Sequence, residues 1–171
     1  AFGIKSPNYP SLKTPEELAK PLVYLMGDKE YDVLMKINNS DSLKNAIDRF
    51  WLSNINNSNI TENVISLYYQ RVEEANKQFS NFKEGWKTDL GMIYILFGPP
   101  WYEDRNLNEL FWSYSYNKFD PEKNFFFDRI KLRSKFFPFH HYLLNRSREY
   151  YSINYNQTLR WRNGTILKYS F

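Results

Sequence analysis

The run from Gly85 to Pro100, GWKTDLGMIYILFGPP, constrains this chain more than any other segment. Two glycines, a tryptophan and a Thr-Asp pair punctuate it ahead of an uninterrupted apolar stretch, Met92 to Phe97, which Gly98-Pro99-Pro100 stops. The physical reading is a tight turn, a strand buried on both faces and a second rigid turn. In that reading Gly85 and Gly91 supply positive φ, and Thr88 and Asp89 accept backbone N–H bonds in the turn before the strand. Trp86 pins the turn onto the long helix that precedes it. Asp89 beside the Thr88 hydroxyl could serve as a general base, but the turn-bracing role is preferred, since short polar side chains take that role at turns.

Upstream the apolar period is helical. Ala1 to Lys13, with Gly3, Pro7 and Pro10 among polar residues, reads as an extended arm, and residues 14–171 as one domain. Thr14-Pro15-Glu16-Glu17 starts a short helix that Pro21 interrupts. A second helix is expected from Asp28 to Ile37, burying Tyr31, Leu34 and Met35, and a third from Asp41 to about Ser53 with Leu43, Ile47, Phe50 and Trp51 on one face. Thr61 caps the strongest helix, which reaches about Phe82 with Val64, Tyr68, Val72, Ala75, Phe79 and Phe82 on one side. Arg71 and Asn76 lie close to that side and are expected to join a buried hydrogen-bond network with the Trp86 turn.

Beyond Pro100 the period shortens to two. Leu110, Trp112, Tyr114 and Tyr116 alternate with Phe111, Ser113 and Ser115 as a half-buried strand, and Phe125 to Arg133 is a further strand candidate. Ser147 to Arg162 reads either as a final helix stopped by Asn163-Gly164, with Tyr151, Tyr155, Thr158 and Arg162 along one side, or as part of a terminal hairpin turned by those two residues. The expected core centres on Phe50, Trp51, Tyr68, Val72, Phe79, Trp86, Ile93, Ile95 and Trp112. The fold class that results is α+β: amino-terminal helices packed on a small, mainly antiparallel sheet, closed by a carboxy-terminal helix or hairpin.

Composition narrows the chemistry. With no cysteine among 171 residues, thiol catalysis, thiolate metal sites and disulfides are excluded. His140 and His141 are sequence neighbours whose rings diverge in a helix or strand, so no metal site is expected. No cofactor is expected either: Gly98-Pro99-Pro100 cannot cradle a phosphate, because two of its three residues donate no N–H. The formal charge of +4 comes from 23 cations interspersed with 19 anions, and most of the aromatics, 19% of the chain, sit at core periodicities. Nucleic-acid binding is therefore not expected. No stretch is apolar for long enough to span a membrane.

Two surfaces remain as partner candidates. The rigid Gly-Pro-Pro turn aims Trp101 and Tyr102, with Glu103, Asp104 and Arg105 following on an exposed loop. Aromatics beside paired carboxylates could bind or process a glycan, but adjacent acids in an extended segment point apart. Arg129, Lys131, Arg133 and Lys135 line one face of an extended segment, a contact for anionic lipid, glycan or an acidic protein surface, or else charges that keep an edge strand from pairing.

The string GWKTDLGMIYILFGPP resembles the signature of the bacterial GWxTD domain family, in which Gly-Trp-x-Thr-Asp precedes a glycine, an apolar segment and a Gly-Pro-Pro turn. The likeness runs through Phe50-Trp51, Tyr69, Arg71-Val72, Ala75-Asn76 and Phe79, then Phe111-Trp112-Ser113-Tyr114 and Arg160-Trp161-Arg162-Asn163-Gly164, covering roughly residues 20 to 165. It also favours the final helix over the hairpin. Leu90 and Trp101 depart from the pattern, standing where family members often carry arginine and an acidic residue. The resemblance brings no established enzymatic activity with it, and the reading leans against one. It implies a non-catalytic interaction or scaffold module of a cell-envelope protein, such as an outer-membrane lipoprotein of the Bacteroidota type anchored through a region outside this chain, with an envelope protein as partner. The alternative is a glycan-binding or glycan-processing envelope domain.

Overall fold

A computed structural model describes residues 5–55, 57–116, 123–130 and 140–168. Helices fill the amino-terminal half: α1 (Pro15–Ala19), a 3-10 turn (Lys20–Tyr24), α2 (Asp28–Met35), α3 (Ser40–Asn54) and α4 (Ser58–Phe79). A second 3-10 turn (Gly85–Lys87) leads into α5 (Asp89–Phe97), followed by β1 (Tyr102–Arg105), β2 (Glu109–Ser113), β3 (Asn124–Ile130) and β4 (His141–Leu144). Then come α6 (Arg148–Arg162) and a closing 3-10 turn (Thr165–Lys168). The strands form one antiparallel sheet in the order β1-β2-β3-β4. The class is α+β, as the sequence indicates, and the closing element is the helix.

The largest correction concerns Met92 to Phe97, which lies in α5 and is not a strand. Thr88 is its N-cap, accepting from Gly91 N–H at 2.9 Å, and Asp89 sits in the positive first turn. Gly98, at φ 88°, ends it. No helical period shows in the apolar run because α5 is buried on nearly every side, so it has no polar face to alternate with. Ile93 and Ile95 are fully buried.

The other helices differ from expectation at their ends. α3 begins at Ser40, one residue before Asp41, with Asn39 as its cap; Asn57, not Thr61, caps α4, and α4 stops at Phe79, where Ser80 turns extended. Asparagine accepts the free N–H groups of a first turn as well as threonine does. Thr61 is instead buried in that turn, its hydroxyl donating to the Asn57 carbonyl at 2.8 Å. In α2 only Leu34 is buried, and Met35 is exposed. Of the nine expected core residues all are buried except Phe79, which is partly buried against the core.

Residues 5–13 are not a continuous extended arm. They form turns, with Tyr9 N–H donating to the Ser6 carbonyl at 3.1 Å and Ser11 N–H to Asn8 at 3.0 Å. The segment is held to the helices: Tyr9 Oη donates to the Asn76 carbonyl, and Ser6 N–H to Glu84 at 2.7 Å. Glu17 completes a capping box with Thr14 and also accepts from Asn8 and Lys13 N–H. Its burial works against the charge, but these donors outweigh that and pull its pKa down to about 2.

On the sheet's inner face Leu110, Trp112, Phe125, Phe127, Tyr142 and Leu144 are buried towards the helices. Phe97 of α5 meets Phe125 at 4.7 Å between ring centroids, and Phe79 of α4 meets Trp112 at 5.4 Å. The buried face of α6 carries Tyr150, Gln157 and Trp161, whereas Tyr151 and Tyr155 are exposed. That differs from the expected face because Trp161 packs edge-on against Tyr68 at 5.2 Å, which sets the rotation of the helix. Gly164, at φ 75°, ends the helix.

Candidate functional site

Gly85, Trp86, Thr88 and Asp89 are joined to one another and to their surroundings, while Glu84 and Lys87 at the turn border a cleft with residues 5–8. Gly85 and Gly91 have negative φ, contrary to the expectation from the sequence; they are needed for close approach. A Cβ on Gly85 would stand 1.8 Å from the Ala75 carbonyl oxygen, and one on Gly91 would stand 2.0 Å from the Gly85 carbonyl oxygen. Three backbone layers, from α4, the 3-10 turn and α5, are thus stacked with no room for side chains between them.

Trp86 fixes this stack. Its N–H donates to Asn76 Oδ1 at 3.2 Å, its Nε1 to Glu84 Oε2 at 2.9 Å, and its carbonyl accepts from Tyr24 Oη. Glu84 is buried, which raises its pKa, but Lys87 at 2.9 Å and the Ser6 and Trp86 donors outweigh burial and hold it below the usual carboxylate range. The Thr88 hydroxyl donates to the Gly85 carbonyl at 2.7 Å while capping Gly91.

Asp89 does accept a backbone N–H, but from across the fold: Leu144 N–H of β4 donates to Oδ2 at 2.8 Å. Arg146 closes a two-pronged pair on the same carboxylate, with Nη2 to Oδ1 at 2.9 Å and Nη1 to Oδ2 at 3.2 Å. Burial works against the Arg146 charge, but the Asp89 carboxylate outweighs it and raises its pKa. Both carboxylate oxygens are occupied, so Asp89 ties α5 to β4. Asp89→Asn would replace one acceptor by a donor facing Leu144 N–H or Arg146, at a cost of about 1–2 kcal/mol for a partly exposed pair. The expected result is a melting temperature lower by about 3–8 °C; an unchanged melting curve would contradict the bracing role.

The carboxy-terminal end of α5 is also engaged. Its last carbonyls lack helical partners. Ile95 O accepts from Arg71 Nη1 at 3.3 Å, and Leu96 O from Gln157 Nε2 at 2.7 Å and Trp161 Nε1 at 2.9 Å. Gly98 O accepts from Tyr114 Oη at 2.8 Å. Arg71 therefore belongs here and not, as the sequence suggested, to the network at the Trp86 turn, which Asn76 alone of the two joins. Its guanidinium stacks on Trp161 at 5.3 Å and passes over Gly98. Pro99 and Pro100 carry the chain from this point to Trp101, whose N–H donates to Ser113 O at 2.9 Å.

The exposed surface worth considering is the outer face of the sheet. Trp101 and Tyr102 are exposed, and Glu103, Asp104 and Arg105 lie on the edge strand β1, not on a loop. The two acids do diverge: Glu103 turns inward, accepting from Trp112 Nε1 at 2.8 Å and pairing with Arg105 at 2.8 Å, while Asp104 lines the outer face. Trp101, Tyr102, Asp104, Glu109, Phe111 and Phe126 border a groove of about 660 Å³ there. Ring pairs floor it, Trp101 with Tyr116 at 4.7 Å and Phe111 with Phe126 at 4.8 Å. Phe126, Glu109 and Asp128 were not singled out from the sequence. Phe111 carried the signal, since it alternates with the buried residues of its strand, but its neighbours on the face depend on register.

Of the basic group, Arg129 is partly buried on β3, its Nη1 donating to Leu107 O at 3.3 Å. Lys131, Arg133 and Lys135 lie outside the described residues. His141 faces Asn81 at 3.4 Å and Phe82 at 5.4 Å. Among the described residues no three His, Cys, Asp or Glu side chains gather to hold a metal ion, and no helix is long and apolar enough to cross a membrane.

A family model, the GWxTD domain, matches residues 1–163. No curated protein and no solved structure matches the chain.

Proposed function

We propose, for a chain that belongs to the GWxTD domain family, a non-catalytic role: a protein-interaction or scaffold module of a bacterial cell-envelope protein, in which the outer sheet face docks a protein partner. The observation that carries this reading is the contrast between two regions. The signature residues are consumed in internal hydrogen bonds and backbone contacts, whereas Trp101, Tyr102, Phe126 and Tyr116 present exposed rings on one side of the sheet. Contiguous exposed aromatics beside a sheet edge that no described strand covers make a common form of docking surface.

The glycan reading has less support. It needs Trp101, Tyr102, Glu103 and Asp104 to share a cleft with Asp89, but Glu103 faces inward and Asp89 is locked to Arg146 and Leu144. The envelope location and a lipoprotein anchor rest on the family resemblance.

Affinity purification from the native envelope tests the reading, with wild-type protein and the surface variant Trp101→Ala. A stoichiometric protein is expected with the wild type and a loss of at least about tenfold with the variant, since buried aromatic anchors dominate interfaces. Recovery of no protein, together with retention on a glycan column, would favour the alternative.

A further inference from the structure

We propose that the outer-face groove takes an extended, lysine- or arginine-bearing segment of the partner, laid along the edge of β1 that no described strand covers. This rests on the docking reading above and adds the chemistry of the partner. Glu109 of β2 and Asp128 of β3 are directly opposite one another. Side chains so placed have Cβ atoms about 4.5–5.5 Å apart, and like charges there are destabilising. Neither acid has an ion-pair partner among the described residues, whose salt bridges all lie elsewhere. Asp104 adds a third carboxylate on the same face, and no described cation lines the groove. In a chain of formal charge +4, the acids on this aromatic face thus have no compensating cation among the described residues.

A cationic segment satisfies each feature. Lysine or arginine heads relieve the repulsion between Glu109 and Asp128, and their stems or guanidinium planes lie on the exposed rings. The edge supplies the backbone. With Asn106 N–H donating to Glu109 O at 3.0 Å, antiparallel alternation turns the main-chain groups of Glu103 and Arg105 away from β2. A second copy of this chain does not fit that edge, because antiparallel self-pairing centred on Asp104 or Glu103 sets that acid against its own copy. An anionic lipid headgroup would be repelled, and a neutral glycan gains nothing from the opposed carboxylates.

The test uses a short blocked peptide alternating lysine and valine, its counterpart with glutamate for lysine, and a neutral β-linked glucose oligomer. Trp101 reports binding, being the exposed tryptophan while Trp51, Trp86, Trp112 and Trp161 are buried. Expected are a shift in tryptophan emission with the lysine peptide alone, weakening as salt is raised, and at least about tenfold weaker binding by the double variant Glu109→Gln, Asp128→Asn. That variant should also melt about 1–3 °C higher, since the repulsion is gone. Equal binding of the glutamate peptide, preference for the glucose oligomer, no binding of the lysine peptide, or an unaffected double variant would each overturn the proposal. If the double variant still captures the envelope partner while Trp101→Ala does not, docking stands and the cationic partner falls. If Trp101→Ala also captures it, the docking reading falls as well.

Discussion

Gly85→Ala is expected to leave the chain unfolded or to lower its melting temperature by more than about 10 °C. The added Cβ would lie 1.8 Å from the Ala75 carbonyl oxygen, 2.6 Å from its carbon and 2.8 Å from the Asn76 Cα. All three atoms are main chain in α4, so no side chain can swing aside. Relief would require α4 and the Trp86 turn to separate. That separation would break the Trp86 N–H bond to Asn76 and open the contact between Gly85 and Gly91. A loss of about 4 kcal/mol or more is a large part of the 5–15 kcal/mol that usually holds a domain folded. Gly27→Ala provides the control: nothing lies within 4 Å of its added Cβ, so its effect should stay within about 1 kcal/mol, the cost of alanine for glycine at the N-cap of α2. Thermal melts of the two variants side by side decide the matter, and a Gly85→Ala protein melting close to wild type would show that the layers are not closely stacked.

The same segment shows where sequence reasoning reaches and where it stops. The presence of Gly85 and Gly91 is visible in the sequence, but not whether a glycine is needed for its φ or for its missing side chain. α4 was legible because it has a wet face and a dry one, with Val64, Tyr68, Val72 and Ala75 recurring on the dry side. α5 has almost no wet face, and a helix buried all round has the composition of a buried strand. The deciding signal is local: Thr88 as cap followed by an acidic Asp89 in the first turn is a helix start. Asp89 was legible as a bracing carboxylate, yet its partners, Leu144 and Arg146, are more than fifty residues away and meet it only through β4. The outer sheet face was half legible. Trp101 and Tyr102 follow from the rigid Pro-Pro turn, but the opposition of Glu109 and Asp128 exists only once β2 and β3 are in register.

Trp161→Ala should cost about 3–5 kcal/mol, and Trp161→Phe only about 1 kcal/mol, because packing outweighs hydrogen bonding at this position. Trp161 is fully buried between Tyr68, at 5.2 Å edge-on, and the Arg71 guanidinium, at 5.3 Å. Phenylalanine keeps a ring in that slot and forfeits the Nε1 bond to Leu96 O. The carbonyl is not orphaned by the loss, since Gln157 Nε2 donates to it at 2.7 Å. Alanine removes the ring itself, leaves a cavity against Tyr68, and strips Arg71 of the face that covers its buried charge, whose pKa burial already lowers. Urea unfolding separates the terms. The midpoint should fall several times further for alanine than for phenylalanine at an unchanged m-value. Adding Gln157→Leu to Trp161→Phe should then cost more than the two single changes summed, because only together do they leave Leu96 O without a donor. Equal midpoints for alanine and phenylalanine would mean that α6 is held by its hydrogen bonds and not by the ring.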